Sequence, residues 1–175
     1  MTDQDVSTTV DSPVGPLVLA ERDGRLTGLR LPEVGDDGTT TPSPAPGWQA
    51  LSAPTSLLGR ATEQLTAYFS GELTAFDLPL LLEGTEFQRK VWAALQRIPY
   101  GTTVSYGELA QELGSPGASR AVGLANGRNP VAIIVPCHRV IGADGSLTGF
   151  AAGLDRKRFL LGLEAKGRPR EHLLF

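Results

Sequence analysis

The stretch SYGELAQELGSPGASRAVGLANGRNPVAIIVPCHRV, residues 105–140, decides how the chain is read. Ser105 and Glu108 have the spacing of a capping box, in which each side chain can satisfy a free backbone N–H at the helix start. Leu109, Ala110 and Leu113 follow at helical intervals, and Gly114 ends the helix. Ser115-Pro116 starts a second helix, expected to run through Arg120-Ala121-Val122-Gly123-Leu124-Ala125 to about Arg128. Two short helices joined by a tight glycine-containing turn make a helix-turn-helix candidate. Asn129-Pro130 closes the second helix, because the residue before a proline is driven away from helical backbone. Residues 131–135 are a continuous, largely β-branched apolar run, most simply a fully buried strand. That run leads into Pro136-Cys137-His138-Arg139-Val140.

Outward from this segment the chain reads as two parts. Thr85 and Gln88 repeat the capping-box spacing ahead of an apolar stripe of Phe87, Val91, Trp92 and Leu95, and Pro99-Tyr100-Gly101 breaks the chain after it. Before residue 85, runs at 6–10, 16–20 and 25–31 read as short strands. The Asp23-Gly24 pair between the last two is a hairpin signal, because glycine tolerates positive φ. Residues 32–50 are rich in Pro, Gly, Thr and Asp and read as a flexible loop. Helical spacing returns through Leu57, Ala61, Leu65 and Phe69, with Gly71 as the stop. The expected division is an α/β domain over 1–84 and a mainly helical domain over 85–175.

Composition bounds the function. The 175 residues are 41% hydrophobic and 20% charged, enough to bury a core and too apolar for a disordered chain. No run approaches the roughly 18–20 apolar residues of a membrane span. The acidic start Met1-Thr2-Asp3-Gln4-Asp5 fits neither a secretory signal nor a transit peptide, so a cytoplasmic protein without membrane association is expected. A single cysteine excludes an internal disulfide framework, and two histidines cannot complete a cysteine-rich zinc site. The net charge of −3 hides an asymmetry. Residues 1–84 hold 4 Lys/Arg against 12 Asp/Glu, whereas residues 85–175 hold 12 against 7, so a polyanion would meet the second part.

Cys137 and His138 carry the chemistry. A lone cysteine is commonly an inert core residue. Here it follows a buried run and a proline, with an imidazole next to it. A free thiol has a pKa of about 8.5, and a base within reach is the ordinary way to activate it. On an extended strand neighbours point to opposite faces, so His138 needs either a turn or a bridging water to reach Cys137. The second helix of the pair presents small residues, Ala118, Ala121, Gly123 and Ala125, with Arg120 near its start. Close packing on a neighbouring helix explains that surface, and so does approach to a narrow groove with Arg120 entering the base stack.

Taken together, these motifs resemble the O6-alkylguanine-DNA alkyltransferases, also called methylated-DNA–protein-cysteine methyltransferases. The likeness runs from Phe87-Gln88-Arg89-Lys90-Val91-Trp92 through Gly101-Thr102-Thr103-Val104-Ser105-Tyr106 and Arg120-Ala121-Val122-Gly123 to Asn129-Pro130 and the cysteine pentapeptide. Beyond it come Gly145-Ser146-Leu147, Lys157, Leu160-Leu161 and Glu164. The resemblance implies a ribonuclease H-like N-terminal domain, with a small antiparallel sheet plus helix, and a winged-helix-like C-terminal domain containing the helix-turn-helix. It implies that Cys137 takes the alkyl group from O6 of guanine, irreversibly and once per molecule. His138 would be the base, Glu164 its orienting acid, and Tyr106 a proton donor at guanine N3. Asn129 would tie the recognition helix to the active site. Arg120 would fill the stack vacated by an everted base, with Ala121, Gly123, Ala125 and Arg128 on the DNA side. Pro136, Val140, Phe150 and Ala151 would line the base pocket.

The expected partner is double-stranded DNA carrying O6-alkylguanine. The chain is expected to be a monomer without DNA, and to need no metal or organic cofactor. Phe150-Ala151-Ala152-Gly153 departs from the family pattern, which often has a tyrosine and more glycine there. Phe150 keeps the aromatic wall without a hydroxyl, and Ala152 adds a methyl at the pocket mouth, which bears on bulky O6 substituents. Two alternatives stay open. A lesion-binding protein that flips alkylated bases without transfer is opposed by the cysteine. A thiol hydrolase built on Cys137 and His138 leaves Arg120 and its helix without a role.

Overall fold

The structure is a computed structural model, and it describes residues 4–148, 150 and 153–167. It divides into two units: residues 1–83 with 130–134, and residues 84–129 with 135–175. The five residues 130–134 thus belong with the first unit, not with the second as the sequence suggested.

In the first unit, strands β1 (Val6–Val10), β2 (Leu17–Arg22) and β3 (Arg25–Arg30) form an antiparallel meander. Asp23 and Gly24 turn β2 into β3 with φ of 52° and 77°, the paired positive values that an Asp-Gly hairpin supplies. The 32–50 stretch is not free of secondary structure. β4 (Glu33–Val34) pairs with β5 (Thr40–Thr41), and β6 (Gln49–Ala50) adds to β1 in parallel, giving the order β3-β2-β1-β6. Composition showed that this stretch has little to bury, but main-chain pairing needs no apolar side chains. Helix α1 (Ser56–Phe69) packs Leu57, Leu58, Ala61, Leu65 and Tyr68 inward against the sheet strands. Its N-cap Thr55 accepts from Leu58 N at 3.1 Å.

The apolar run at 131–135 is buried as expected but is not a strand. Val131 makes a single parallel bridge to Leu29, and the chain then turns at Ile133, whose φ is 72°. A β-branched residue rarely adopts that conformation. It is held by burial on all sides, with Ile134 N bonded to Ala132 O at 2.8 Å. A continuous apolar run reports burial and leaves the backbone undetermined.

The second unit is mainly helical. Helix α2 (Glu86–Leu95) begins with the complete capping box: Thr85 Oγ1 accepts from Gln88 N at 3.1 Å, and Thr85 N donates to Gln88 Oε1 at 3.0 Å. Strand β7 (Val104–Ser105) leads into α3 (Tyr106–Glu112), capped by Ser105, and Gly114 turns with φ 77° towards α4 (Ser119–Gly127). α4 starts at Ser119, later than Ser115-Pro116 suggested, because residues 115–118 form a turn closed by Ala118 N on Ser115 O. β8 (Val140–Ile141) pairs in parallel with β7, and α5 (Leu154–Lys166) completes the unit. Trp92 of α2 donates from Nε1 to Ala125 O of α4 at 2.8 Å, satisfying the one polar atom of a buried indole.

Because the capping box satisfies two otherwise free N–H groups, Thr85→Ala should lower stability by about 1 kcal/mol, and Thr85→Ser should restore most of it. Urea unfolding of the full chain measures both; equal stability of Thr85→Ala and the parent would contradict the assignment.

Candidate active site

Pro136 leaves the apolar run with φ −81° and ψ 65°, and its carbonyl accepts from Arg139 N at 3.0 Å. Cys137–Arg139 is therefore a turn of 3-10 helix, not an extended strand, and all three residues are buried. The backbone at Cys137 and His138 is thus a turn, so the rule that strand neighbours face opposite sides does not apply here.

Helix α5 lies against this turn and buries Lys157, Leu160 and Glu164, spaced i, i+3 and i+7 on one face. Taken alone, Glu164 reads as an exposed helix acid; in the structure it is 1% exposed. Its Oε2 lies 2.6 Å from His138 Nε2, and Arg139 donates to both oxygens, Nε to Oε1 at 2.7 Å and Nη2 to Oε2 at 3.0 Å. Gly101 N also donates to Oε1, at 3.3 Å. About two turns earlier on α5, Lys157 Nζ donates to the carbonyls of Val140 at 2.6 Å and Thr148 at 2.8 Å.

These surroundings set the protonation states. Burial pushes the Cys137 thiol up, while a hydrogen bond from Asn129 and the Lys157 charge pull it down. Burial thus favours the protonated thiol. Burial holds His138 below the usual imidazole range, against the bond and charge of Glu164, which favours the neutral ring. Nδ1 of His138 has no hydrogen-bond partner among the described residues. Burial also raises Tyr106, against its bond to Thr148, so the phenol keeps its proton and donates to Thr148 O at 3.0 Å.

Helix α4 and the residues just after it are tied to the chain around Cys137 by two asparagines. Asn126 Nδ2 donates to Cys137 O at 3.2 Å, and Asn129 Nδ2 donates to Val135 O at 2.7 Å. On its outer side Arg120, Ala121, Leu124 and Arg128 are exposed, and Gly123 is half-buried. Ala125 departs from expectation. It is 3% exposed and turned inward with Trp92, so it belongs to the packing of α4 and not to its outer face. Leu124, 64% exposed, stands on that face instead. Arg120, Gly123 and Leu124 line a cavity of about 500 Å³ together with Tyr106, Ser119 and Thr148. Its size is that of a small-ligand cleft. Cys137 is not among its described lining residues. Pro136 and Val140 are buried beside the cysteine, Phe150 is half-buried, and Ala151 lies outside the described residues.

The sequence reading gave no role to Asn126, Arg139, Lys157 or Leu124. Arg139 and Lys157 stood inside the recognised motifs, and the signal was their charge next to an apolar run and on a buried helix face. Asn126 could have been found from its position one helical turn before Asn129.

The second unit is thus a helix-turn-helix body built around a buried cysteine–histidine–glutamate site. Family models agree with both units: residues 6–82 match the 6-O-methylguanine DNA methyltransferase ribonuclease-like domain, and residues 86–166 match the DNA binding domain of the same family. The chain is 59% identical over 167 residues to the methylated-DNA–protein-cysteine methyltransferase of Mycolicibacterium paratuberculosis, covering 95% of this chain and 96% of the relative. It is 52% identical over 160 residues to that of Methanosarcina acetivorans, covering 88% and 94%. Among solved structures it is similar to Mycobacterium tuberculosis OGT in complex with DNA, with a TM-score of 0.82 and 52% identity over 97% of this chain and 99% of that one. The chain belongs to the methylated-DNA–protein-cysteine methyltransferase family.

Removing one member of a buried ion pair strands the other. Glu164→Ala should therefore lower stability by about 3–5 kcal/mol, by leaving the Arg139 guanidinium without its carboxylate. Denaturant unfolding measures this; a loss below about 1 kcal/mol would mean that water reaches Arg139 freely.

Proposed function

We propose that this protein repairs DNA by direct reversal, moving a methyl or larger alkyl group from O6 of guanine to Cys137. The observation that carries the reading is the buried Cys137 turn, backed by the His138–Glu164 bond and tied to the helix-turn-helix through Asn126 and Asn129. Family membership and the DNA complex of a relative support the same partner.

In this reading Sγ attacks the alkyl carbon, an S–C bond forms, and the C–O6 bond breaks. His138 receives the thiol proton at Nδ1, directly or through a water, while Glu164 holds Nε2–H. Tyr106 exchanges its Thr148 acceptor for guanine N3 and supports the leaving base, whose final protonation accounts for the thiol proton. Departure as a neutral base is easier than as an anion. The S-alkyl bond is stable, so each molecule acts once.

The target carbon is inaccessible in a stacked duplex, so the base must be everted. Arg120 fills the gap in the stack, while Ala121, Gly123, Leu124 and Arg128 face the groove, and the cavity beside Tyr106 admits the base. Pro136, Val140 and Phe150 supply further walls for the everted base, and the protein acts on duplex DNA as a monomer.

Incubation with O6-methylguanine duplex should add one methyl mass to the peptide containing Cys137. Cys137→Ser should abolish transfer while keeping DNA binding. Demethylation with Cys137 unmodified would refute the reading, and lesion binding without transfer would favour a non-enzymatic binder. Arg120→Ala should slow transfer from duplex DNA by at least tenfold while leaving transfer from free O6-methylguanine nearly unchanged, because only the duplex requires eversion. Single-turnover rates decide, and equal losses on both substrates would remove Arg120 from the stack.

A further inference from the structure

Glu164 has more partners than an orienting acid needs. Arg139 donates to it twice, at 2.7 and 3.0 Å, and its remaining Nη1 donates to Ile98 O at 2.7 Å. The guanidinium is buried, and its Cζ lies 5.7 Å from the centre of the Tyr100 ring. A carboxylate that met only an imidazole in such surroundings would favour the imidazolium, since a nearby opposite charge stabilises the charged form. Here the forked guanidinium, a side chain that remains charged in proteins, already matches it.

The charged groups acting on His138 are Arg139 on its own turn and Lys157 and Glu164 on α5. Tyr100 stands against Arg139 and Glu164. A proton added to His138 would set an imidazolium against two further cations, Arg139 and Lys157, with Glu164 as the one carboxylate among the groups that act on it.

We propose that Arg139 is a positioning residue for alkyl transfer: its fork on Glu164 matches the carboxylate's charge and thereby holds His138 as the neutral Nε2–H tautomer, with Nδ1 bare to receive the thiol proton. This rests on His138 being the base. The unpartnered, buried Nδ1 is what that tautomer looks like before DNA arrives. Burial pushes His138 in the same direction. Arg139 touches neither substrate nor sulfur in this scheme and acts through Glu164 alone.

The sign of the effect follows. Without Arg139, Glu164 is left to His138, and the imidazole's pKa rises. The fraction of neutral base at a fixed pH below the new value falls about tenfold per unit of rise. Arg139→Met should therefore slow single-turnover transfer from O6-methylguanine duplex about tenfold or more at pH 7, with recovery as pH increases. Nitrogen-15 NMR of the His138 ring in the full chain without DNA should show a neutral Nε2–H tautomer at pH 7 in the parent and an imidazolium in Arg139→Met. Arg139→Lys, which keeps the charge, and Arg139→Met with Glu164→Gln, which removes both charges, should each leave the ring neutral.

A loss of rate that is the same at every pH, with a neutral ring in Arg139→Met, would make Arg139 a structural residue only and overturn the proposal. If Arg139→Met fails to fold, the parent and Arg139→Lys still decide, because an imidazolium or an Nδ1–H tautomer in the parent at pH 7 overturns it as well. The ring spectrum needs no DNA, so it stands apart from failure of the parent to transfer alkyl groups, which would refute the repair function itself.

Discussion

A carboxylate taken out of water costs several kcal/mol unless donors replace the solvent. In the second unit that demand falls on Glu164, and much of the site follows from how it is met. Its partners are three residues in two places outside α5: Gly101, in the chain after α2, and the Arg139 and His138 side chains of the 3-10 turn. The turn bearing Cys137 is consequently fixed against α5 by directional bonds as well as by apolar contact. Lys157 makes the same kind of attachment on the same face, binding the carbonyls of Val140 and Thr148 and so holding β8 and the loop after it. Charged groups, each with several partners, do here what leucines do in an ordinary helix interface.

A second set of bonds links this buried site to the outer face of the helix-turn-helix. Asn126 and Asn129, one helical turn apart, hold the carbonyls of Cys137 and Val135, which flank Pro136 on either side. Trp92 holds α4 from behind through Ala125 O. Between Asn129 and Val135 the chain passes through the first unit, so the Asn129 bond also closes the neck of that excursion. A small displacement of α4 would be felt at the cysteine backbone, since the connection is by two short asparagine side chains bonded directly to main-chain carbonyls.

Much of this was legible in the sequence where one local rule decided the outcome. Thr85 with Gln88 gave a capping box, Asp23-Gly24 gave a hairpin, and Ser105 gave the start of α3, because each is settled by bonds within a few residues. The 131–135 run shows the limit of pattern reading. Its burial was evident, but its turn at Ile133 depends on neighbours in the first unit. α5 shows a second limit: a helix that buries a lysine and a glutamate has almost no apolar stripe, so periodicity gives no hint of which face is inside. Glu164 therefore read as a surface acid until the family resemblance pointed to it. Ala125 and Leu124 were exchanged for a similar reason, since small size had been taken as the mark of the outer face when the small residue was the one against Trp92.

The burial of Cys137 also bears on a nucleophile that each molecule uses once. An exposed thiolate of low pKa is the form most open to oxidation to sulfenic acid and beyond. A thiol kept protonated by burial is protected from that loss, but it is a poor nucleophile until a base removes its proton. In the mechanism proposed above, the site resolves the conflict by storing the two halves of the reaction separately: a protonated sulfur on one residue and the accepting imidazole nitrogen on the next, with Lys157 near enough to stabilise the thiolate once it forms. Activation is then coupled to the moment when the base occupies the pocket. That separation works only if His138 is neutral beforehand, which returns the argument to the charges around Glu164. On that proposal, a single carboxylate shared between a guanidinium and an imidazole leaves the imidazole without need of a proton, and so free to serve the stored thiol as its base.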